Sequence, residues 1–496
     1  MAVTQSVVKT QNARENNIEV ARHVAGYLNR SPYLFEIMNF SRMALNPEFR
    51  YVRGSQQGDK IRLSGILRAL AHGGNNIDPE KVNNLNRDEI TMCIDNQSIS
   101  SFNFNGNTQR TMGTGDPKEL VAACLTELGR QVDLVGFFHL AKSASLCLPH
   151  TLDLNVQGAF FDAASLANTM LLDAGAVKNK RDVTFIVSTE AFQKILKGRI
   201  SDYKNIQTGY SLETQETKFM MIEGCKVIES QQIPEHIVGN YGGTPTVKGQ
   251  LRLDNSNYLH HISVNTTGWT PNVSRLLNIG DMITFKGVYG IRFHTASKAP
   301  TKYLKTFRVM QTVNSDSNGD ATILLSQPII TDASTFNGKP IAPHKNVSNP
   351  PPANCPINVI GKARTRYDQY LATSDKPMEY VTGSLEIPAM DGFVRLVHNQ
   401  QFGASVILSG NYNVNDHTAL NAMRMLYGFK VVDEERICRI LGDEIETYES
   451  TDAYDAAMEA YYSPFKEYSF SNIEGSEHIP VVYQDYAQLN PKISLR

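Results

Sequence analysis

Cysteine is scarce and scattered in this chain of 496 residues: Cys93, Cys124, Cys147, Cys225, Cys355 and Cys438 stand singly, with no C-x-x-C and no His at zinc-ligand spacing. That excludes a local zinc motif and a disulfide framework, and leaves reduced, buried thiols as the expectation. Net charge is nearly absent as well, 48 Lys and Arg against 50 Asp and Glu. The surface as a whole is therefore not built to grip nucleic acid or an anionic membrane, and any charged role must be local. No run of eighteen apolar residues occurs, and Met1 to Asn12 has no basic stretch leading into an apolar one. Neither a membrane span nor a secretory leader is expected.

Catalytic signatures are missing too. The phosphate-cradling loop of nucleotide hydrolases is absent, because the run from Gly54 to Gly58 and Lys60 has the wrong spacing. Neither H-E-x-x-H nor G-x-S-x-G occurs, and the S-x-x-K match at Ser463 to Lys466 has no companion motif. Asp316, Asn318 and Asp320 imitate the opening of a calcium loop, but Ala321 replaces the Gly of the sharp turn and Gln327 the bidentate Glu, so a plain hairpin turn is expected. His260 and His261 fall on opposite faces of a strand and cannot share a metal. The carboxylates at Asp433-Glu434-Glu435 and Asp443-Glu444 read as a solvated face. No catalytic residue, no metal site and no cofactor site is expected.

What is present is a packed protein with 41% hydrophobic residues and 34 Gly, long enough for several folding units. Residues 15 to 45 have apolar positions at helical spacing, restarting at Ser31-Pro32, and read as a helical arm. Short strand-like runs at 60–63 and 90–94, separated by Gly and Asn clusters, read as a long two-stranded loop too poor in apolar residues to hold a core. Asp116-Pro117 opens the strongest helix, with Val121, Leu125, Leu128, Val132 and Val135 on one stripe. If it runs to Leu146 it spans roughly 45 Å. A strand at 182–187, a helix at 188–196 and a hairpin about Glu223-Gly224 follow. From Tyr241 to Pro352 short β-rich segments alternate with turns and read as an inserted all-β block with Gly- and Pro-rich margins. Strands at 383–397 and 404–408 then precede a helix from Asp416 to Tyr427, stopped by Gly428, and a strand at 429–432. The last 64 residues carry 14 acidic and 5 basic groups, a net of −9, leaving +7 on the rest.

Three stretches, Gly115-Asp116-Pro117-Lys118-Glu119-Leu120, the run from Leu277 to Val288 with its G-D-x-I-x-F-x-G-V core, and Gly383 to Pro388 followed by Leu420 to Gly428, resemble the major capsid proteins of tailed bacteriophages. The nearest likeness is to podovirus-type coat proteins that carry an insertion domain, and the polar, Asn-rich composition suits a crAss-like phage. The resemblance implies an α+β Hong Kong 97-type fold: a helical N-arm at 1–50, an extended E-loop at 51–112, and a spine helix with P- and A-domain core at 113–240. An inserted β-barrel at 241–352, resumed core at 353–432 and an acidic tail at 433–496 complete it. It implies a structural protein, not an enzyme, that self-assembles as hexamers and pentamers into the icosahedral head of a virion. The head would enclose double-stranded DNA without reading its sequence and would be assembled in the host bacterial cytoplasm. Portal, scaffolding and decoration or cement proteins are the further partners implied, with no membrane. Arg53, Lys60, Arg62 and Arg68 in the loop are the candidate inter-subunit contacts, Lys60 without an isopeptide cross-link. The glycine pairs Gly73-Gly74 and Gly242-Gly243 read as hinges between subunit environments. An encapsulin-like cargo compartment is the alternative, and an enzyme of unknown mechanism the remote one.

Overall fold

The computed structural model describes residues 39–40, 59–64, 89–105, 117–156, 158–177, 182–195, 220–222, 225–251, 254–255, 263–292, 299–336, 339–340, 345–374, 377–383, 393–398, 405–413, 418–431, 433–465 and 467–468. The fold is α+β, with strands in the majority. The described residues form two compact units. One takes those within Met1–Leu63, Thr91–Gly136 and Met378–Lys430, the other those within Ser64–Ile90, Phe137–Pro377 and Val431–Arg496.

The first unit holds a six-stranded sheet. Its path runs β1 (Asn39–Phe40), β20 (Met378–Gly383), β23 (Thr418–Val431), β22 (Ser405–Asn413) and β21 (Phe393–His398), with β4 (Asn96–Asn105) also paired to β23. The helical arm expected at 15–45 lies outside the described residues except at Asn39–Phe40, which are extended and pair in parallel with Glu379 and Tyr380. The helix expected from Asp416 to Tyr427 is instead the greater part of the 14-residue strand β23. Its Ala, Leu and Met content favours a helix locally, but β22 and β4 bracket it, Leu408 opposite Met423 and Ser98 opposite Met425. Ladder hydrogen bonds on both edges and burial of Met423, Met425 and Tyr427 outweigh a propensity worth a few tenths of a kcal/mol per residue. Gly428 is no helix stop: a Cβ there would lie 2.3 Å from the Cys93 carbonyl oxygen, so the neighbouring backbone demands glycine.

The expected long helix is present as α1 (Pro117–Ser143), 27 residues and so about 40 Å at 1.5 Å per residue. The two-stranded loop is present where described, as β2 (Asp59–Ser64) and β3 (Glu89–Ile94), which pair only with each other among the described strands.

The second unit is centred on a seven-stranded sheet. Its order is β5 (Leu146–Cys147), β24 (Ile437–Thr447), β19 (Thr365–Thr373), β6 (Thr184–Val187), β8 (Cys225–Glu229) and β7 (Met220–Ile222), with β9 (His236–Ile237) also on β19. The hairpin expected about Glu223-Gly224 is the antiparallel pair β7–β8. One face packs on α2 (Ala159–Asp173) through Phe160, Ala163, Ala164, Ala167 and Leu171, with Tyr370, Ala372, Cys438 and Ile440 beneath. The other face contributes Cys147, Tyr367 and Leu441 to a cluster shared with the β-rich block. Cys147 and Cys438 thus face opposite sides of the sheet, and all six cysteines are free thiols.

The β-rich block has two main three-stranded sheets. One is β10 (Gly243–Val247), β12 (Ser263–Trp269) and β15 (Ala321–Leu324); the other is β14 (Pro300–Arg308), β13 (Met282–Ile291) and β18 (Ile357–Val359). Val264 and Ile323 of the first and Ile283, Phe285 and Phe307 of the second lie in one core cluster. This block continues into the sheet beneath it, and β18 extends its pairing past Pro352. Gly242 and Gly243 are packing residues, not a hinge: a Cβ on Gly243 (φ +89) would meet the Gly268 carbonyl oxygen at 2.3 Å, and one on Gly242 the Thr270 hydroxyl at 2.5 Å. Asp316 closes a turn, its carboxylate accepting from the Asn318 and Asp320 backbone N–H groups at 2.8 and 2.7 Å.

The acidic stretch after Asp433 is no separate tail where it is described. Ile437–Thr447 is an inner strand, and α3 (Thr451–Tyr462) caps itself through Ser450 and buries Tyr454, Met458 and Tyr462.

Candidate functional site

Of the four loop cations, Lys60 and Arg62 fall two residues apart on β2, while Arg53 and Arg68 lie outside the described residues. The ribbon has no third strand among those described, and its β3 strand is anchored by the fully buried Met92 and Ile94; a two-stranded ribbon is marginal in water without such support. On the first unit's sheet, Ile99 of β4 (49% exposed) and Leu420 of β23 (56%) share one face, since Ile99 is opposite Arg424 and Asn103 opposite Leu420. Among the described residues no group of three metal-ligating side chains occurs, and no helix is long and apolar enough to cross a membrane.

The densest charge in the second unit is internal and was not foreseen from the sequence. Glu434 and Glu435, expected on a solvated face, are counterions of the β-rich block: Lys305 Nζ lies 2.8 Å from Glu435 Oε1 and Arg308 Nη2 2.8 Å from Glu434 Oε1. The Asp433 side chain caps this turn by accepting from the Glu435 backbone N–H and so holds the two carboxylates against strand β14. Such a pair is costly to break, because the surviving charge stays buried. Glu435→Ala is expected to lose about 3–5 kcal/mol of unfolding free energy in denaturant titrations, and the Lys305→Met, Glu435→Leu double variant to recover most of it. A single-variant loss under about 1 kcal/mol, the range of a surface pair, would show that Lys305 finds solvent.

Beside this pair, Lys142 at the end of α1, His236, Asp281 and Arg439 are all buried. Asp281 Oδ1 lies 2.9 Å from His236 Nε2, and Oδ2 accepts from the backbone N–H groups of Asn278 (2.7 Å) and Gly239 (3.1 Å). Lys142 Nζ lies 3.4 Å from His236 Nδ1 and 5.6 Å from the Phe138 and Tyr461 ring centres. Arg439 Nη1 donates to the Gly280 carbonyl. Burial, then the Arg439 and Lys142 charges, hold His236 well below its ordinary value, so the imidazole is neutral. One tautomer satisfies both contacts: Nε2–H donates to Asp281 and Nδ1 accepts from Lys142. Burial raises Asp281 to about 6, and burial with the Arg439 charge lowers Lys142 to about 7.

Between about 7 and the unfolded value of 10.5 the unfolded chain therefore binds more protons at Lys142 than the folded one, and stability rises with pH across that window. From pH 7.5 to 9.5 the unfolding free energy of the wild type is expected to gain on that of Lys142→Met by on the order of 2 kcal/mol. Parallel curves for the two proteins would mean that Lys142 keeps its proton.

The Lys142, His236 and Asp281 groups are closed in by packing, and each contact ties one element to another: α1, β9, the turn before β13, and β24. Their chemistry is that of a structural keystone.

No protein-family model and no curated protein matches this chain. Solved structures similar to it include one of Mycobacterium phage Che8, at 10% identity over 82% of this chain and 90% of that one with a TM-score of 0.39. The mature capsid of bacteriophage PhiM1 aligns at 8% identity over 80% and 85%, TM-score 0.35. A virus-like particle from Pyrococcus furiosus aligns at 7% over 85% and 98%, TM-score 0.34.

Proposed function

We propose that this chain is the major capsid protein of a tailed phage, a Hong Kong 97-type shell subunit that assembles as hexamers and pentamers around double-stranded DNA. The observation that carries the reading is the ribbon β2–β3, a pair of strands with no third strand among those described, anchored on the β3 side by Met92 and Ile94. A ribbon of that kind becomes stable on another surface, and a second copy of the chain supplies one. Exposed Ile99 and Leu420 add apolar area available to a neighbour. In this reading the long helix serves as the spine, the sheets of the two units as P- and A-domain core, and the β-rich block at 241–352 as the insertion domain. DNA contacts in such a shell are to phosphates and carry no sequence preference. Scaffolding, portal and cement proteins complete the particle.

Electron microscopy and light scattering on the purified chain, with and without a scaffolding protein, are expected to show closed shells. A chain that stays monomeric under every assembly condition overturns the reading. Shells that copurify with a cargo enzyme in place of DNA would make it an encapsulin-like compartment.

A further inference from the structure

We propose that the second unit holds a buried binding site for a small monovalent inorganic anion of chloride size at the guanidinium groups of Arg308 and Arg439. This inference is independent of the capsid reading. Both side chains are completely buried, at 0% exposure. Arg308 spends Nη2 on Glu434, and its Nε and Nη1 have no acceptor in the protein; Arg439 spends Nη1 on Gly280, and its Nε and Nη2 have none. Four nitrogens of two permanent cations, close enough for each charge to act on the other, thus lie in the core without acceptors, where the great majority of buried donors are satisfied.

The charges around them are unevenly paired. Lys305 and Arg308 each have a carboxylate partner, whereas Arg439 and Lys142, whose ammonium form burial disfavours, have none among the described residues. Glu435 is taken by Lys305, Glu434 by Arg308, and Asp281 by His236 and two backbone N–H groups. No carboxylate among the described residues lies within ion-pair distance of Arg439. A guanidinium cannot escape by losing its proton as a buried lysine does. An unpaired buried ion is among the costliest arrangements a fold can hold, so a counter-charge from solvent is strongly favoured. The unpaired permanent charge is that of Arg439, fully enclosed in the core, which selects a small, singly charged ion. Water would satisfy the donors but would not neutralise them.

The test is thermal unfolding of the full chain in sodium chloride and in sodium gluconate at equal ionic strength. The wild type is expected to melt about 3 °C higher in chloride, and Arg439→Met, which removes the unpaired charge, to show no such preference. Equal melting of the wild type in both salts overturns the site, and so does a chloride preference that persists in Arg439→Met, since that is a general salt effect. Should Arg439→Met fail to fold, wild-type crystals grown in sodium bromide decide. An anomalous bromide peak within hydrogen-bond reach of both guanidinium groups supports the site, and its absence overturns it.

Discussion

A chain ending at Leu441 is expected not to fold its second unit at all. The cut falls inside β24 and removes the rungs that set Tyr367 opposite Glu444, Arg366 opposite Glu446 and Thr365 opposite Thr447. It also removes Tyr448 and α3 with Tyr454, Met458, Tyr462 and the following Phe465, all buried. Phe138 loses the Phe465 ring at 4.3 Å and the Tyr462 ring at 6.5 Å, and Asn278 loses the Tyr454 hydroxyl at 2.7 Å. Deleting one large apolar side chain from a core costs about 2–5 kcal/mol, so five such losses exceed the roughly 5–15 kcal/mol that hold a typical domain together. Circular dichroism and thermal melts should show no cooperative transition for this half of the molecule. A truncated chain that melted cooperatively near the wild-type temperature would return the segment to the status of an appendage.

Reversing charge on the ribbon, Lys60→Glu with Arg62→Glu, is expected to abolish closed shells while leaving the subunit folded. Both residues sit on β2, whose only strand partner among those described is β3, so β2 is a strand of neither large sheet. Interface charges that face carboxylates or phosphates of a neighbour turn from attraction to repulsion on reversal, and like charges set together can cost several kcal/mol per contact. In an icosahedral shell that cost recurs at every copy, so a modest local penalty becomes an all-or-none loss. Light scattering should report no particles, and circular dichroism on the same sample an unchanged spectrum and melting temperature. Intact shells from the double variant would remove the ribbon from the interface, and a lost transition would make it part of the subunit fold.

Much of the architecture was legible from local pattern. The long helix, the hairpin at β7–β8, the two-stranded ribbon and the β-rich texture after Tyr241 all rest on signals carried within a few residues: a cap with proline in the first turn, alternation, and turn residues between runs. The resemblance to phage coat proteins rests on such runs as well. β23 was misread because its signal is not local. Met423, Met425 and Tyr427 are spaced for a strand as much as for a helix, and the decision belongs to β4 and β22, hundreds and tens of residues away in the chain.

The ionic core shows the same division. Composition and motif searching establish, from the sequence alone, that the chain is a packed protein with balanced charge and without a local catalytic or zinc motif, and that its acid is concentrated at one end. Which of those acids are solvated is a matter of what lies opposite them. Glu434 and Glu435 look like an exposed run until β14 places Arg308 and Lys305 within 2.8 Å of them, and Lys142, His236, Asp281 and Arg439 stand too far apart in sequence to be read as one cluster. Caps, turns and hairpins follow from interactions between near neighbours, which a sequence displays. Burial and pairing of charge depend on contacts closed across hundreds of residues, and only the tertiary fold decides those.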